Sequence, residues 1–143
     1  MKAEEILTRL KDKFSGRVLR VLKKSPRRLY VDFDPKDVPE VVRLLLRELR
    51  GRLVTATGID TRNNIEILYH FSFDSSGIII SLRTLIDRKS PEIESITPII
   101  RGAEWIEREI HELLGVNFVN HPNLKRLLLF ENWPEGKYPL RRE

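Results

Sequence analysis

The apolar residues of this chain recur at helical spacing in three segments. This spacing predicts helices over Ala3–Phe14, Val38–Leu49 and Pro98–Leu114. Glycine follows each of them, as Gly16, Gly51 and Gly115, and it is the residue that takes the left-handed cap conformation without steric cost. In the third helix the predicted apolar stripe consists of Ala103, Ile106, Ile110, Leu113 and Leu114.

Between the helices, apolar and polar residues alternate in strand-length runs. The alternation predicts five strands, at Arg17–Lys23, Arg28–Phe33, Arg52–Asp60, Ile65–Phe73 and Ile78–Leu85. Turn sequences separate them, and the short turns favour mostly antiparallel pairing, whereas the helical crossovers permit one parallel pair. We therefore predict an α+β fold: a two-layer sandwich with a mixed, mostly antiparallel five-strand sheet and helices on one face.

The residues after Gly115 fit no regular element. Three prolines, at positions 122, 134 and 139, interrupt the segment, yet it carries many large apolar side chains. Such an extended apolar tail is typical of a segment that lies across another surface. We predict an α+β domain over 1–116 and an extended C-terminal tail over 117–143 that docks on a partner. A chain cut after Gly115 should then still fold.

Composition narrows the possible cofactors and locations. The chain has 143 residues, enough for one domain, and no cysteine, which excludes disulfides and cysteine-ligated iron–sulfur clusters. No apolar run is long enough to span a membrane, and the N-terminus resembles neither a signal nor a transit peptide. Many charged residues and few thermolabile ones are typical of thermophile proteins. These features predict a cytoplasmic protein.

The net charge of +5 is concentrated near the N-terminus, where six cations occur between Arg17 and Arg28 without one acid. Such a cluster suits nucleic acid, an anionic lipid surface or an acidic protein face. It also suits a solvated strand pair with long cationic side chains. A small RNA- or DNA-binding protein using the Arg17–Arg28 hairpin is therefore the alternative hypothesis.

Motifs for catalysis or metal binding are weak. The two carboxylates of Glu107-Arg108-Glu109 could serve general acid/base catalysis. A charged helix face used for structure or docking is the simpler interpretation. His111-Glu112 begins like a zinc-protease motif, but the position of the second histidine is Gly115. A metal site combining His111 and Glu112 with His121 would need the tail to fold back on its helix. No phosphate-binding glycine loop or nucleophile elbow is present.

The C-terminal motifs carry a family resemblance. Its ordered string comprises Glu107-Arg108-Glu109, Leu113-Leu114-Gly115-Val116, Phe118, His121-Pro122, Leu124, Arg126-Leu127-Leu128, Trp133-Pro134-Glu135-Gly136 and Tyr138-Pro139-Leu140-Arg141. This string resembles the signature of the thirty-kilodalton (30 kDa) subunit family of respiratory complex I, the NADH–quinone oxidoreductase. That family includes the matching subunits of membrane-bound, energy-converting [NiFe] hydrogenases, and the ending is closer to the hydrogenase-type branch. The family pattern more often has an aromatic residue and aspartate where this chain has His111-Glu112.

The resemblance implies a structural and assembly subunit that holds no cofactor and is not catalytic by itself. It would lie in the hydrophilic arm of a membrane-bound redox complex, at the cytoplasmic face of the membrane. There it would clasp the [NiFe]-hydrogenase-like large subunit and contact the small iron–sulfur subunit, and it would reach the membrane only through the complex. The predicted partner-binding residues are Glu107, Arg108, Glu109, Phe118, His121, Pro122, Arg126, Leu128, Phe130, Trp133, Tyr138, Arg141 and Arg142.

Overall fold

A computed structural model describes residues 2–125, 134 and 136–141 of the chain. The helices are α1 (Ala3–Lys13), α2 (Val38–Arg43), which continues as a π-helical turn over Leu44–Glu48, and α3 (Glu104–Leu114). The strands are β1 (Val18–Ser25), β2 (Arg28–Phe33), β3 (Arg52–Asp60), β4 (Asn64–Phe73), β5 (Ile78–Asp87), β6 (Glu92–Glu94) and β7 (Asn117–Val119).

Five strands form one sheet in the spatial order β1-β2-β5-β4-β3. Neighbouring strands are antiparallel except β2 and β5, which run parallel with Leu29 opposite Ile80. The parallel pair arises because the chain leaves β2 through α2 and the β3–β4 hairpin before it returns as β5. The predicted α+β class and the mixed, mostly antiparallel sheet are confirmed.

The core fills the space between the helices and one face of this sheet. The alternating residues of β4, from Ile65 to Phe73, are buried on that face, and Phe33 of β2 meets Phe14 edge-on at 5.6 Å between ring centroids. The three helices contribute their own apolar residues to the same core, among them Ile6 and Val41. The opposite face of the sheet is packed against none of the described helices, and we call it the open face.

Helix α3 crosses the sheet at its β3 edge, and a glycine allows its close approach. A Cβ atom on Gly58 of β3 would lie 2.5 Å from Leu114 Cδ1 and 3.1 Å from Ile110 Cγ2. A side chain at this position would force Leu114 and Ile110 to move, so Gly58 permits the close packing of α3 on the sheet. Gly115 ends the helix with φ of 77°, as the sequence predicted.

The start of α3 differs from the prediction. The sequence placed Thr97 as the N-cap and Pro98 in the first turn, but the helix begins at Glu104, after a 3₁₀ turn over Arg101–Ala103. The Thr97 hydroxyl donates to the Glu107 carboxylate, so it does not accept a hydrogen bond from the helix start. The residues before α3 therefore form a separate loop, and the hydrogen bond from Thr97 to Glu107 joins this loop to the side of the helix.

The segment after Gly115 begins as part of the domain. Strand β7 pairs in parallel with β6, with Phe118 opposite Ile93, and this two-stranded sheet was not predicted. Phe118 is 1% exposed and Val116 is fully buried, both within the common core. The tail predicted over 117–143 thus starts with residues that pack in the domain, and a cut after Gly115 would remove part of the core.

The substitution Phe118→Ala tests this packing. Removal of a fully buried phenylalanine from a close-packed core should lower the free energy of unfolding by about 3–5 kcal/mol. Urea unfolding of the isolated chain measures it, with an unchanged m value as the sign of a change in stability alone. Leu19→Ala, at an exposed position, is the control and should change stability by less than about 0.5 kcal/mol. An equally small effect of Phe118→Ala would contradict the packing.

Candidate partner-binding surfaces

The centre of the α3 region is a buried carboxylate. Glu107 is 1% exposed, and it accepts hydrogen bonds from the Ser95 hydroxyl (2.5 Å), the Thr97 hydroxyl (2.5 Å) and the Ile96 amide (3.1 Å). Hydrogen bonds to a charged acceptor are stronger than those between neutral groups. These three fix the loop before α3 to the side of the helix.

Two buried rings lie near the same carboxylate. Burial, and then the negative charge of Glu107, raise the pKa of the Tyr69 hydroxyl well above its usual range, so this phenol stays protonated. The His121 side chain is also buried, with Nε2 4.0 Å from Glu107 Oε1. Its Nδ1 accepts from the Asn123 amide at 2.9 Å and its Nε2 donates to the Glu104 carbonyl at 3.1 Å. His121 thereby holds the start of the tail against α3.

These positions, with that of Phe118, correct three predicted partner contacts. Glu107 and His121 were predicted to face a partner, but both side chains are buried inside the chain. The sequence contains the signal for Glu107, because it lies four residues after Ala103 and three before Ile110, on the buried stripe of the helix. Phe118 is likewise buried in the core and cannot serve as an exposed anchor.

Other residues of α3 do face solvent. Trp105 is 61% exposed, and the Arg108 guanidinium lies over its ring at 5.4 Å. Arg108 Nε also donates to the Lys125 carbonyl at 3.1 Å, so the guanidinium connects the tail to the tryptophan. Glu109 is exposed beside them. We call Trp105, Arg108 and Glu109 the α3 surface.

The C-terminal residues 138–141 bind the end of α3. The Tyr138 ring covers Gly115, where a Cβ atom would lie 2.6 Å from the ring. The Leu140 amide donates to the Leu113 carbonyl at 3.0 Å. Arg141 donates to the Leu114 carbonyl at 2.9 Å and to the Arg88 carbonyl at 2.7 Å. The contacts to Leu113 and Leu114 satisfy helix carbonyls that have no partner within the helix itself.

Apart from Phe118 and His121, the predicted tail contacts divide into three groups. Tyr138 and Arg141 bind the chain's own helix end and are half-buried, so their contact with a partner stays a prediction. Pro122 is exposed, as a partner contact requires. The remaining predicted contacts lie outside the described residues, and they are Arg126, Leu128, Phe130, Trp133 and Arg142.

The basic hairpin, β1 and β2, has a mixed environment. Arg17 pairs with Asp37 at 3.1 Å and Lys23 pairs with Glu4 at 2.9 Å. Lys24 lies over the ring of Tyr30 at 5.4 Å. Part of the cationic cluster is thus neutralised within the chain.

A row of hydrogen-bonded polar side chains crosses the middle of the open face. His70 of β4 lies 2.7 Å by Nδ1 from the Ser81 hydroxyl and 3.1 Å by Nε2 from the Thr57 hydroxyl. Partial burial, and then the positive charge of Arg28, lower the pKa of His70 below its usual 6.5. The imidazole is therefore mostly neutral at pH 7 and adds little positive charge to this face.

Metal-binding clusters and membrane-spanning helices are both absent from the part of the chain that the structure describes. It contains no group of three or more histidine and acidic side chains arranged to hold a metal ion. Within the same residues, no helix is long and apolar enough to cross a membrane.

Comparison with known proteins gives consistent matches. Residues 31–143 match the family described as the 30 kDa subunit of respiratory-chain NADH dehydrogenase. The chain is 34% identical to a subunit of the F420H2 dehydrogenase of Methanosarcina mazei, over all of this chain and 92% of that protein. It is 32% identical to hydrogenase-4 component G of Escherichia coli, over 99% of this chain but only 26% of that protein.

A solved structure has the same fold. It is that of the membrane-bound sulfane sulfur reductase, an archaeal respiratory membrane complex. A chain of that complex superposes with a TM-score of 0.84 at 22% identity, over 96% of this chain and 82% of the other.

The substitution Glu107→Gln tests the buried carboxylate. Glutamine places an amide donor among three donors, so at least one of them loses its acceptor. The free energy of unfolding should fall by about 2–4 kcal/mol. Glu109→Gln, two residues away but exposed, is the matched control and should change it by less than about 0.5 kcal/mol. Equal effects of the two substitutions in denaturant unfolding would contradict the role of Glu107.

The titration of His70 provides a second test. Because its pKa in the folded chain lies below 6.5, the unfolded chain binds the proton more strongly. Its contribution to stability is therefore present above pH 6.5 and is lost as the pH falls below that value. Arg28→Gln should raise the His70 pKa, followed by NMR of the ring protons, whereas Arg27→Gln should change it less. A His70 pKa at or above 6.5 in the unmodified chain would disprove the assignment.

Proposed function

Because the chain belongs to the family of the 30 kDa subunit of respiratory-chain NADH dehydrogenase, we propose that it is a structural and assembly subunit of a membrane-bound redox complex. The family comprises subunits of complexes related to complex I and to membrane-bound hydrogenases. In this proposal the chain holds no cofactor and performs no electron transfer itself. It works from the cytoplasmic face of the membrane.

The proposed main partner is the large subunit related to [NiFe] hydrogenases, with the small iron–sulfur subunit beside it. The match to hydrogenase-4 component G supports a stable protein partner for this chain. The chain matches only about a quarter of that protein. The segment similar to this chain is there continuous with a much longer polypeptide. A separate chain of the same family would keep its neighbour by non-covalent contacts instead.

The observation that carries the proposal is the exposure of Trp105. A tryptophan that is 61% exposed leaves much apolar surface in water, and its ring is held in place by the Arg108 guanidinium. Tryptophan and arginine are among the residues most enriched at the energetic centres of protein interfaces. Next to them, Leu140 is 56% exposed and lines a groove of about 270 Å³ with Ile106 and Glu109. The α3 surface and this groove form the proposed contact area.

The tail extends this contact area. The described residues on both sides of the segment 126–133 bind α3, through His121 and Lys125 before it and through Tyr138 and Arg141 after it. We therefore keep the predicted anchors of that segment in the proposed interface. They are Arg126, Leu128, Phe130 and Trp133, with Arg142 at the rim.

The substitution Trp105→Ala tests this interface. The variant should keep its stability in isolation, because the side chain is mostly exposed. Its affinity for the complex should fall by about 2 kcal/mol or more, as at tryptophan hot spots elsewhere. The measurement is the amount of tagged chain that co-purifies with its neighbours from the native organism after it replaces the unmodified chain.

The matched control is Leu19→Ala, which removes an apolar side chain that is 66% exposed at the opposite edge of the sheet. This variant should co-purify like the unmodified chain. Full recovery of the Trp105→Ala complex would exclude the α3 surface as the main contact. Recovery of the unmodified chain without any other subunit would refute the proposed function itself.

A further inference from the structure

The open face of the sheet contains a hollow of about 340 Å³. It lies on the side opposite the helices, so it is separate from the α3 surface. Side chains from all five strands of the main sheet line it, and they are Arg20, Leu22, Lys24, Tyr30, Asp32, Ile59, Glu66, Leu68 and Arg83.

The floor of the hollow is a closed ion network. Arg83 donates to both Asp32 oxygens, at 3.0 and 2.8 Å, and to Glu66 Oε1 at 3.4 Å. One guanidinium thus lies between two carboxylates. The Arg83 pKa is raised by this hydrogen bonding to Asp32. With one cation and two anions, the network carries a net negative charge.

The rim on the hairpin side is cationic. Arg20, Lys24 and Arg28 are exposed on the same face, and no ion pair within 4 Å involves them among the residues that the structure describes. Lys24 is held over the Tyr30 ring at 5.4 Å. With His70 mostly neutral, the rim of described residues has three positive charges without acidic partners.

Apolar side chains lie between the rim and the floor. Leu22, Ile59 and Leu85 of the open face are each about two-fifths exposed, at 41%, 42% and 42%. Together with Leu68 and Tyr30 they form an apolar surface inside a cationic rim, which is the usual arrangement of a protein interface.

We propose that the open face binds an acidic segment of a neighbouring subunit, with apolar side chains over Leu22 and Ile59 and carboxylates at Arg20, Lys24 and Arg28. This inference rests on the proposed function, since it adds a second contact for the same subunit. Complementary charges at the rim would orient that segment.

The floor argues against nucleic acid as the occupant. Asp32 and Glu66 would repel phosphates, and among the residues that line the hollow Tyr30 is the one aromatic side chain on which a base could stack. Nucleic acid binding draws most of its affinity from phosphate neutralisation, which this mixed surface supports poorly. A protein segment fits both regions when its uncharged residues lie over the negative floor and its acidic residues lie at the cationic rim.

The absence of cysteine from the chain makes a direct test possible. Leu22→Cys introduces a single thiol in the hollow, and Lys11→Cys introduces one on the exposed side of α1 as the control. Each variant is built into the complex, and maleimide labelling is compared with that of the isolated chain. The thiol at position 22 should react much more slowly in the complex, whereas the thiol at position 11 should react equally in both states.

A photoreactive maleimide on the same thiol then identifies the occupant by mass spectrometry. The expected crosslink joins position 22 to a peptide rich in Asp and Glu from another subunit. A thiol at 22 that reacts equally fast in the complex would overturn the proposal, as would a crosslink to a basic or uncharged segment. A crosslink to RNA or DNA would overturn it in favour of nucleic acid.

Charge reversal provides an independent measurement. The triple variant Arg20→Glu, Lys24→Glu, Arg28→Glu should lower recovery of the complex at least about tenfold, because like charges would face the partner. The matched control Lys11→Glu, Arg43→Glu, Arg47→Glu makes the same charge change on exposed helix positions and should leave recovery unchanged. Denaturant unfolding of each isolated variant verifies that it folds. If the charge-reversed variant does not fold, the thiol labelling at position 22 alone tests the proposal.

The outcomes separate the two proposals. A chain that assembles with its neighbours but leaves the thiol at position 22 free retains the proposed function and loses this inference. A chain recovered with no other subunit loses both.

Discussion

The α3 region depends on one buried carboxylate and its donors. Glu107 must be satisfied where water does not reach it, and the donors of Ser95, Ile96 and Thr97 meet that requirement. Their loop is thereby fixed against α3, which determines where β6 lies. Strand β7 can then pair with β6, and Phe118 enters the core. The exposed residues of α3 are held in position by this buried chemistry.

Prediction of the strands from sequence succeeded where buried and exposed residues alternate regularly along the chain. The alternation from Ile65 to Phe73 specifies one buried sheet face, and the same period holds in β2 and β5. Glycine at 115 marked the helix end for a local steric reason. The fold class followed from these local signals and from the order of the elements.

Prediction was wrong where a residue's role depends on distant partners. Three consecutive charged residues at 107–109 resemble a solvated helix face, but the first is buried and the last is exposed. Strands β6 and β7 have three residues each and are joined through α3, so neither carries a detectable period. Tyr138 covers Gly115 and Arg141 binds a helix carbonyl, and residue type alone contains no information on those contacts.

The two sides of the sheet present different chemistry, and this follows from the two-layer architecture. The helices cover one face, so α3 can expose Trp105 only on the outside of the helical layer. The other face keeps its side chains free of the described helices, and there Arg83 with Asp32 and Glu66 forms a charged floor between apolar neighbours. A subunit with one aromatic surface and, on the opposite side, one apolar hollow with a cationic rim can contact two neighbours at once. In the proposed complex, that geometry would let one small chain hold two larger subunits in a fixed relation.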